Sequence, residues 1–113
     1  MKKENAEAYK KGDIILVTFP FTDFSGEKRR PALVVGISED HVVVVFVTTQ
    51  KTGFRHWHVP IESNAQTNLL HLSYARCDKI TSLDIRATGG AIGYVPSTTM
   101  RAVDTKLRRL FKV

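Results

Sequence analysis

Six consecutive apolar residues, Val42-Val43-Val44-Val45-Phe46-Val47, place the tightest limit on what this chain can fold into. They are nearly all β-branched, which suits a strand. A strand with one wet face alternates apolar and polar residues, and this one does not. It predicts a strand over His41 to Thr49 that is covered on both faces, by a barrel core inside and by a helix or a partner outside. The run is too short to cross a membrane, which takes about twenty apolar residues. A chain of 113 residues has room for one domain. It can bury roughly two-thirds of its unfolded surface, enough for a real core. It needs no disulfide staple and cannot form one within the chain, because Cys77 is its single cysteine.

The other segments agree with a mainly β domain. Residues 1–11 are charged and aperiodic and read as a flexible tail ahead of a domain over 12–113. Ile14 to Phe19 reads as a strand ended by Pro20. Phe21 to Arg30 reads as a loop, and Pro31 suits the first position of the next strand, through Gly36 and Ile37. Ser38-Glu39-Asp40 is a turn, and Lys51-Thr52-Gly53 another. Trp57 to Ile61 is a short strand, and Asn64 to Asn68 a loop. Tyr74 to Ile80 is a strand with Tyr74, Arg76, Asp78 and Ile80 on one face and Ala75, Cys77 and Lys79 on the other. Gly89-Gly90 predicts a sharp turn. Last comes a helix. Ser97 is its expected N-cap, and Met100, Val103, Leu107 and Leu110 form its apolar stripe, extended by Ala102 and Phe111. Asp104 and Arg108 are spaced for an ion pair. Short strands with one late helix predict a small, curved antiparallel sheet that removes its edges by closing into a barrel.

There are 17 basic and 11 acidic residues, a net charge of +6, which favours anionic partners without choosing among them. Nothing in Met-Lys-Lys-Glu-Asn reads as a signal peptide. With the unpaired cysteine this predicts a cytoplasmic protein without a membrane partner.

Three segments could carry chemistry. Lys28-Arg29-Arg30 ahead of Pro31 reads either as a solvated charge run or as a phosphate grip. Arginine suits the second role, because its rigid fork meets two oxygens at once. Pro31 holds Arg30 extended. Thr48-Thr49-Gln50-Lys51 is either a strand end or the rim of a site. Phe54-Arg55-His56-Trp57-His58 interleaves aromatic and basic residues, which can stack bases and hold a backbone. His56 and His58 could chelate a metal, but no third ligand is apparent, so no metal is expected. Tyr74 and Arg76 could line a groove. Cys77 reads as a buried small hydrophobe.

Gly12-Asp13-Ile14-Ile15-Leu16-Val17, Phe19-Pro20-Phe21-Thr22-Asp23, Ser25-Gly26 and Lys28-Arg29-Arg30-Pro31-Ala32-Leu33-Val34-Val35 together resemble the MazF/PemK family of toxin endoribonucleases. Val47-Thr48-Thr49, Ser73 to Asp84 and Gly93-Tyr94-Val95 with the helix are similar to the family's later segments. The likeness covers about residues 11–111. It implies an SH3-like barrel with small helices, as also found in CcdB-like toxins, and a homodimer. It implies a metal- and cofactor-independent enzyme that cuts single-stranded RNA, usually mRNA, at short sequences and stops translation. It implies a cognate antitoxin whose C-terminal segment lies in the RNA groove and whose complex with the toxin binds operator DNA. By matching motifs, Arg30 and Thr48 take the catalytic places. Lys28 and Arg29 belong to the loop that gates the groove, and Thr49 and Gln50 border the site. Lys51, Arg55, Trp57, His58 and Arg76 complete the expected RNA-binding set. The family's barrel also carries toxins that poison gyrase, so a non-catalytic toxin or nucleic-acid binder is the competing reading. The ribonuclease reading requires Arg30 and Thr48 on one cleft.

Overall fold

The computed structural model describes residues 8–20, 27–50 and 55–113, and only the backbone of residues 19, 20, 27, 28 and 55. The expectations for residues 1–7, for the loop at 21–26 and for the turn at 51–53 lie outside the described residues. In chain order the elements are β1 (Asp13–Pro20), β2 (Glu27–Ile37), β3 (His41–Thr48), β4 (His58–Ile61), β5 (Ser73–Asp84), β6 (Thr88–Tyr94) and α1 (Ser97–Phe111). The strands form one antiparallel sheet in the order β4-β5-β3-β2-β1-β6.

The valine run is a central strand, and both of its faces are buried inside this one chain. Val45 and Val47 join a cluster with Ile14, Leu33, Ile61, Ala75, Cys77, Met100 and Val103. This is the face that α1 covers. Val42 and Val44 join a second cluster with Ile15, Val17, Ala32, Val34 and Ile85. α1 does not contribute to the second cluster; the curled sheet covers it together with Ile85, from a 3-10 turn (Ile85–Ala87), and with Tyr9 packed against it. Register shifts in the β1–β6, β2–β3 and β3–β5 ladders supply the bend. The second face of the strand therefore needs no partner chain. Each fully buried Val or Ile contributes roughly 1.5–3 kcal/mol relative to an exposed one.

The ladders leave the sheet open, with β4 and β6 at its ends. The gap is bridged by the 62–72 segment instead of a strand pair. Asn64 Oδ1 accepts from the backbone N–H groups of Gln66 and Thr67, both at 2.9 Å, and so ties the turn. From that turn Gln66 O accepts the Tyr94 N–H at 3.1 Å, and Asn68 Nδ2 donates to Ile92 O at 2.6 Å. Leu69 points into the first cluster, while Leu70 and Leu72 are exposed.

Several boundaries differ from those expected. Glu27 to Arg30 belong to β2 and pair with β1, so Pro31 is inside the strand. Its missing N–H is tolerated because the ladder to β3 starts one residue later, at Ala32. Gly89-Gly90 lies within β6, where Gly90 takes a positive φ of 91° beside an irregular ladder. Trp57 closes a 3-10 turn (Arg55–Trp57) before β4. Pro96, not Ser97, precedes the helix as its cap, and no side chain caps it. Asp104 pairs with Lys11 at 3.0 Å rather than with Arg108. Met100, Val103 and Leu107 face the core, whereas Ala102 and Phe111 are exposed. Among the described residues no helix is long and apolar enough to cross a membrane.

Cys77 is fully buried, and burial, with Asp78 nearby, pushes its thiol up to about 11. The native protein at pH 8 should therefore react with a thiol reagent far more slowly than the urea-unfolded chain. Equal rates would put Cys77 at the surface.

Candidate nucleic-acid interface

The pleat places the site. Side chains alternate along a strand, so Arg30, Ala32 and Val34 share one face of β2. Val42, Val44, Phe46 and Thr48 share one face of β3. The pairs Ala32↔Phe46 and Val34↔Val44 put these two rows on the same side of the sheet. The row begins as the second core cluster and runs out into polar residues at Arg30 and Thr48. On β5, Arg76 pairs with Phe46 and Tyr74 with Thr48, and on β4 His58 pairs with Arg76. All three share that face.

There a cleft of about 390 Å³ opens, lined by Arg30, Phe46, Thr48, Gln50, Arg76 and Lys79 among others. Arg30 and Thr48 thus border one space. Thr48 Oγ1 accepts the backbone N–H of Gln50 at 3.1 Å. That bond occupies a lone pair and leaves the hydroxyl proton to donate. Arg76 donates twice to Asp78, from Nε to Oδ1 at 3.2 Å and from Nη2 to Oδ2 at 2.8 Å. This hydrogen-bonded guanidinium holds the Asp78 carboxyl below its usual range and raises Arg76 in turn. Asp78 is therefore ionised at neutral pH. The Lys79 ammonium lies 5.5 Å from the centre of the Phe46 ring.

Lys79 reaches the cleft through an irregularity. Val45 pairs with Ile80, yet the next residue, Phe46, pairs with Arg76, so Cys77, Asp78 and Lys79 form a bulge. The bulge inverts the alternation beyond Asp78. Ile80 packs against the first cluster, away from the face that alternation assigns it, and Lys79 leaves the face expected for it.

The remaining candidates are placed as follows. Arg29 pairs with Thr18 on the face opposite Arg30, and its Nη1 lies against Gly89 of β6. It is a strand residue, not part of a loop. Thr49 is exposed just past β3 and is not among the cleft residues. Trp57 meets His56 edge-on, with ring centres 4.8 Å apart. His58 stacks on Tyr74 at 5.8 Å. His56 and His58 therefore face different neighbours and do not converge on a metal. The side chains of Lys28 and Arg55, and Lys51 altogether, lie outside the described residues. Among the described residues no three His, Cys, Asp or Glu side chains form a metal-holding group. Three participants escaped the sequence reading: Phe46, Asp78 and Lys79. For Asp78 the Arg-x-Asp spacing on a strand was the available signal, since it puts both side chains on one face.

Comparison with known proteins agrees with this architecture. The family described as PemK-like, MazF-like toxin of type II toxin-antitoxin system matches residues 10–111. Among solved structures, the chain is similar to the Mycobacterium tuberculosis toxin MazF-mt6, at 23% identity and TM-score 0.71, over 89% of this chain and 97% of that one. It is similar to a MazE-MazF structure from Deinococcus radiodurans at 21% identity and TM-score 0.75, over 93% and 96% of the two chains. It is also similar to an endoribonuclease from mycobacterial species solved with its cognate antitoxin, at 20% identity and TM-score 0.70, over 91% and 94%. At these identities the structural likeness speaks for the fold. No curated protein matches the sequence.

Proposed function

The chain belongs to the PemK-like, MazF-like toxins of type II toxin–antitoxin systems, and from that membership we propose that it is a metal-independent endoribonuclease that cuts single-stranded RNA and is silenced by a cognate antitoxin. The observation that carries this reading is the meeting of Arg30 and Thr48 on one cationic cleft. The substrate's 2′-OH attacks the adjacent phosphorus, and the bond from phosphorus to the 5′-oxygen breaks. The products are a 2′,3′-cyclic phosphate and a 5′-hydroxyl. Arg30 stabilises the charge that builds on the phosphorane oxygens and carries donors toward the leaving oxygen. Thr48 donates to a non-bridging oxygen, its own oxygen being held by the Gln50 N–H. The proton of the 2′-OH needs an acceptor; the described side chains lining the cleft include no histidine or carboxylate, and of those beside it Asp78 is engaged by Arg76 and His58 is stacked on Tyr74. Arginine keeps its proton throughout the working pH range and is a poor base. Arg30 therefore acts electrostatically first and in proton transfer second. The antitoxin's C-terminal segment competes for the same cleft, and the working toxin is a homodimer.

Purified protein incubated with a long RNA in EDTA tests this reading. The expected result is discrete cleavage with cyclic-phosphate ends. Intact RNA together with gyrase inhibition would instead favour a non-catalytic toxin. Groove binding should also be salt-sensitive. With about four phosphate contacts, a fourfold rise in salt lowers affinity for single-stranded RNA roughly fifty-fold. A flat salt dependence, measured by anisotropy on a 2′-deoxy oligonucleotide, would argue against the groove.

A further inference from the structure

We propose that the Arg76–Asp78 pair and the stacked Tyr74–His58 rings form a nucleobase seat beside the Arg30–Thr48 phosphate site, and that Asp78 sets which base it accepts. The proposal rests on reading the cleft as an RNA site.

The seat follows from charge and from register. A cleft that tracks RNA needs cations for phosphates and other groups for bases. Arg76 is cationic, but two of its donors are spent on Asp78, and the carboxylate cancels its charge. The pair is a poor phosphate ligand and a good hydrogen-bonding surface. Arg30 and Lys79 line the same cleft and bring cationic side chains to it for phosphate. Next to the pair, Tyr74 and His58 lie with planes 29° apart and centres 5.8 Å apart, an aromatic surface on which a base can stack. Tyr74 is the direct cross-strand neighbour of Thr48, about 5 Å away backbone to backbone. A nucleotide whose phosphate meets Thr48 therefore has its base within reach of this wall.

The edge chemistry selects the base. Asp78 is an acceptor whose ionised state is held by Arg76. Guanine presents two adjacent N–H donors, N1–H and the N2 amine, to a carboxylate. The remaining Arg76 donors suit its O6 and N7 acceptors. No other RNA base offers two adjacent donor groups on its Watson–Crick edge. The seat prefers guanine.

The test uses binding, so that it does not depend on turnover. Short single-stranded oligonucleotides, 2′-deoxy at the scissile position, carry one variable base on each side of it, and anisotropy reads the affinity at low salt. The wild-type protein should favour guanine by about tenfold at one flanking position. Asp78→Asn should bring the four bases within about threefold of one another, and any gain in affinity from the released Arg76 charge should be shared by all four. Tyr74→Ala should weaken all four bases several-fold, and Tyr74→Phe should restore them. Should Asp78→Asn fail to fold, His58→Ala leaves the ion pair in place and reports the stacking half alone, with a several-fold loss for every base. Wild-type binding without base preference would overturn the seat and leave the RNA reading standing. So would an equal loss for all bases in Asp78→Asn, or unchanged binding in both ring variants. A wild-type protein that binds no oligonucleotide would overturn the RNA reading itself.

Discussion

Arg30→Ala should lower RNA cleavage by about a hundred- to a thousand-fold, the loss that follows removal of one preorganised donor to a developing oxyanion, while leaving the fold intact. The guanidinium stands at the polar end of a β2 face that Ala32 and Val34 continue into the core, and Arg30 itself is exposed. Losing it opens no cavity. Thermal melts of the two proteins should therefore nearly coincide, which separates lost chemistry from lost structure. Arg30→Lys is the sharper variant. It keeps the charge but replaces a planar fork by a point charge. If the fork matters, this variant loses at least tenfold across the whole pH range. Near-wild-type cleavage by Arg30→Lys would show that any cation at that position suffices and would remove the argument for Arg30 as the organising group. The measurement is single-turnover cleavage at saturating protein, so that weakened binding does not pass for slower chemistry.

What could be read from the sequence was what local pattern decides. The unbroken run Val42 to Val47 required burial on two faces, and the sheet supplies it with two clusters. The Met100–Val103–Leu107 stripe predicted the helix and the face it buries. The Arg30–Pro31 junction and the Thr48 strand end stood out by residue type, and both border the cleft. What could not be read was register. Nothing in Arg76-Cys77-Asp78-Lys79-Ile80 says that three residues bulge out against β3, so strict alternation misplaced Lys79 and Ile80. Pro31 set Arg30 apart from Arg29, but Arg29 looked like a loop residue and is a strand residue. Pairing with β1 sends them to opposite faces, and only one of the two borders the cleft. Gly89-Gly90 looked like a turn because glycine pairs usually mark one. Here the positive φ of Gly90 serves an irregular strand. Closure was misjudged because a barrel is not the only remedy for sheet edges. A turn built on Asn64 hydrogen-bonds can span the gap between β4 and β6.

That bridge leads to the second large effect. Gly93→Val should destabilise the protein by about 3 kcal/mol, the upper part of the range for overpacking. A Cβ at Gly93 would meet Thr67 O at 2.4 Å and Gln66 O at 2.5 Å. Both are backbone atoms, and neither can swing aside like a side chain. Their turn is pinned by the Asn64 carboxamide and by the Thr67 hydroxyl, which donates to Glu62 O at 2.7 Å. To admit the side chain, the turn must retreat from β6. It would then give up the Tyr94-to-Gln66 and Asn68-to-Ile92 hydrogen bonds and draw Leu69 out of the first cluster. For a domain of this size the melting temperature should fall by roughly 10–20 °C. Gly36→Ala is the control. Its new Cβ would lie 3.4 Å from the Val43 side chain, an ordinary contact, so its cost should stay within about 1 kcal/mol. If both variants melt alike, the turn at 62–72 yields freely and does not hold the ends of the sheet together. If only Gly93→Val falls, the open ladder order is stabilised across its gap by backbone contact rather than by strand pairing.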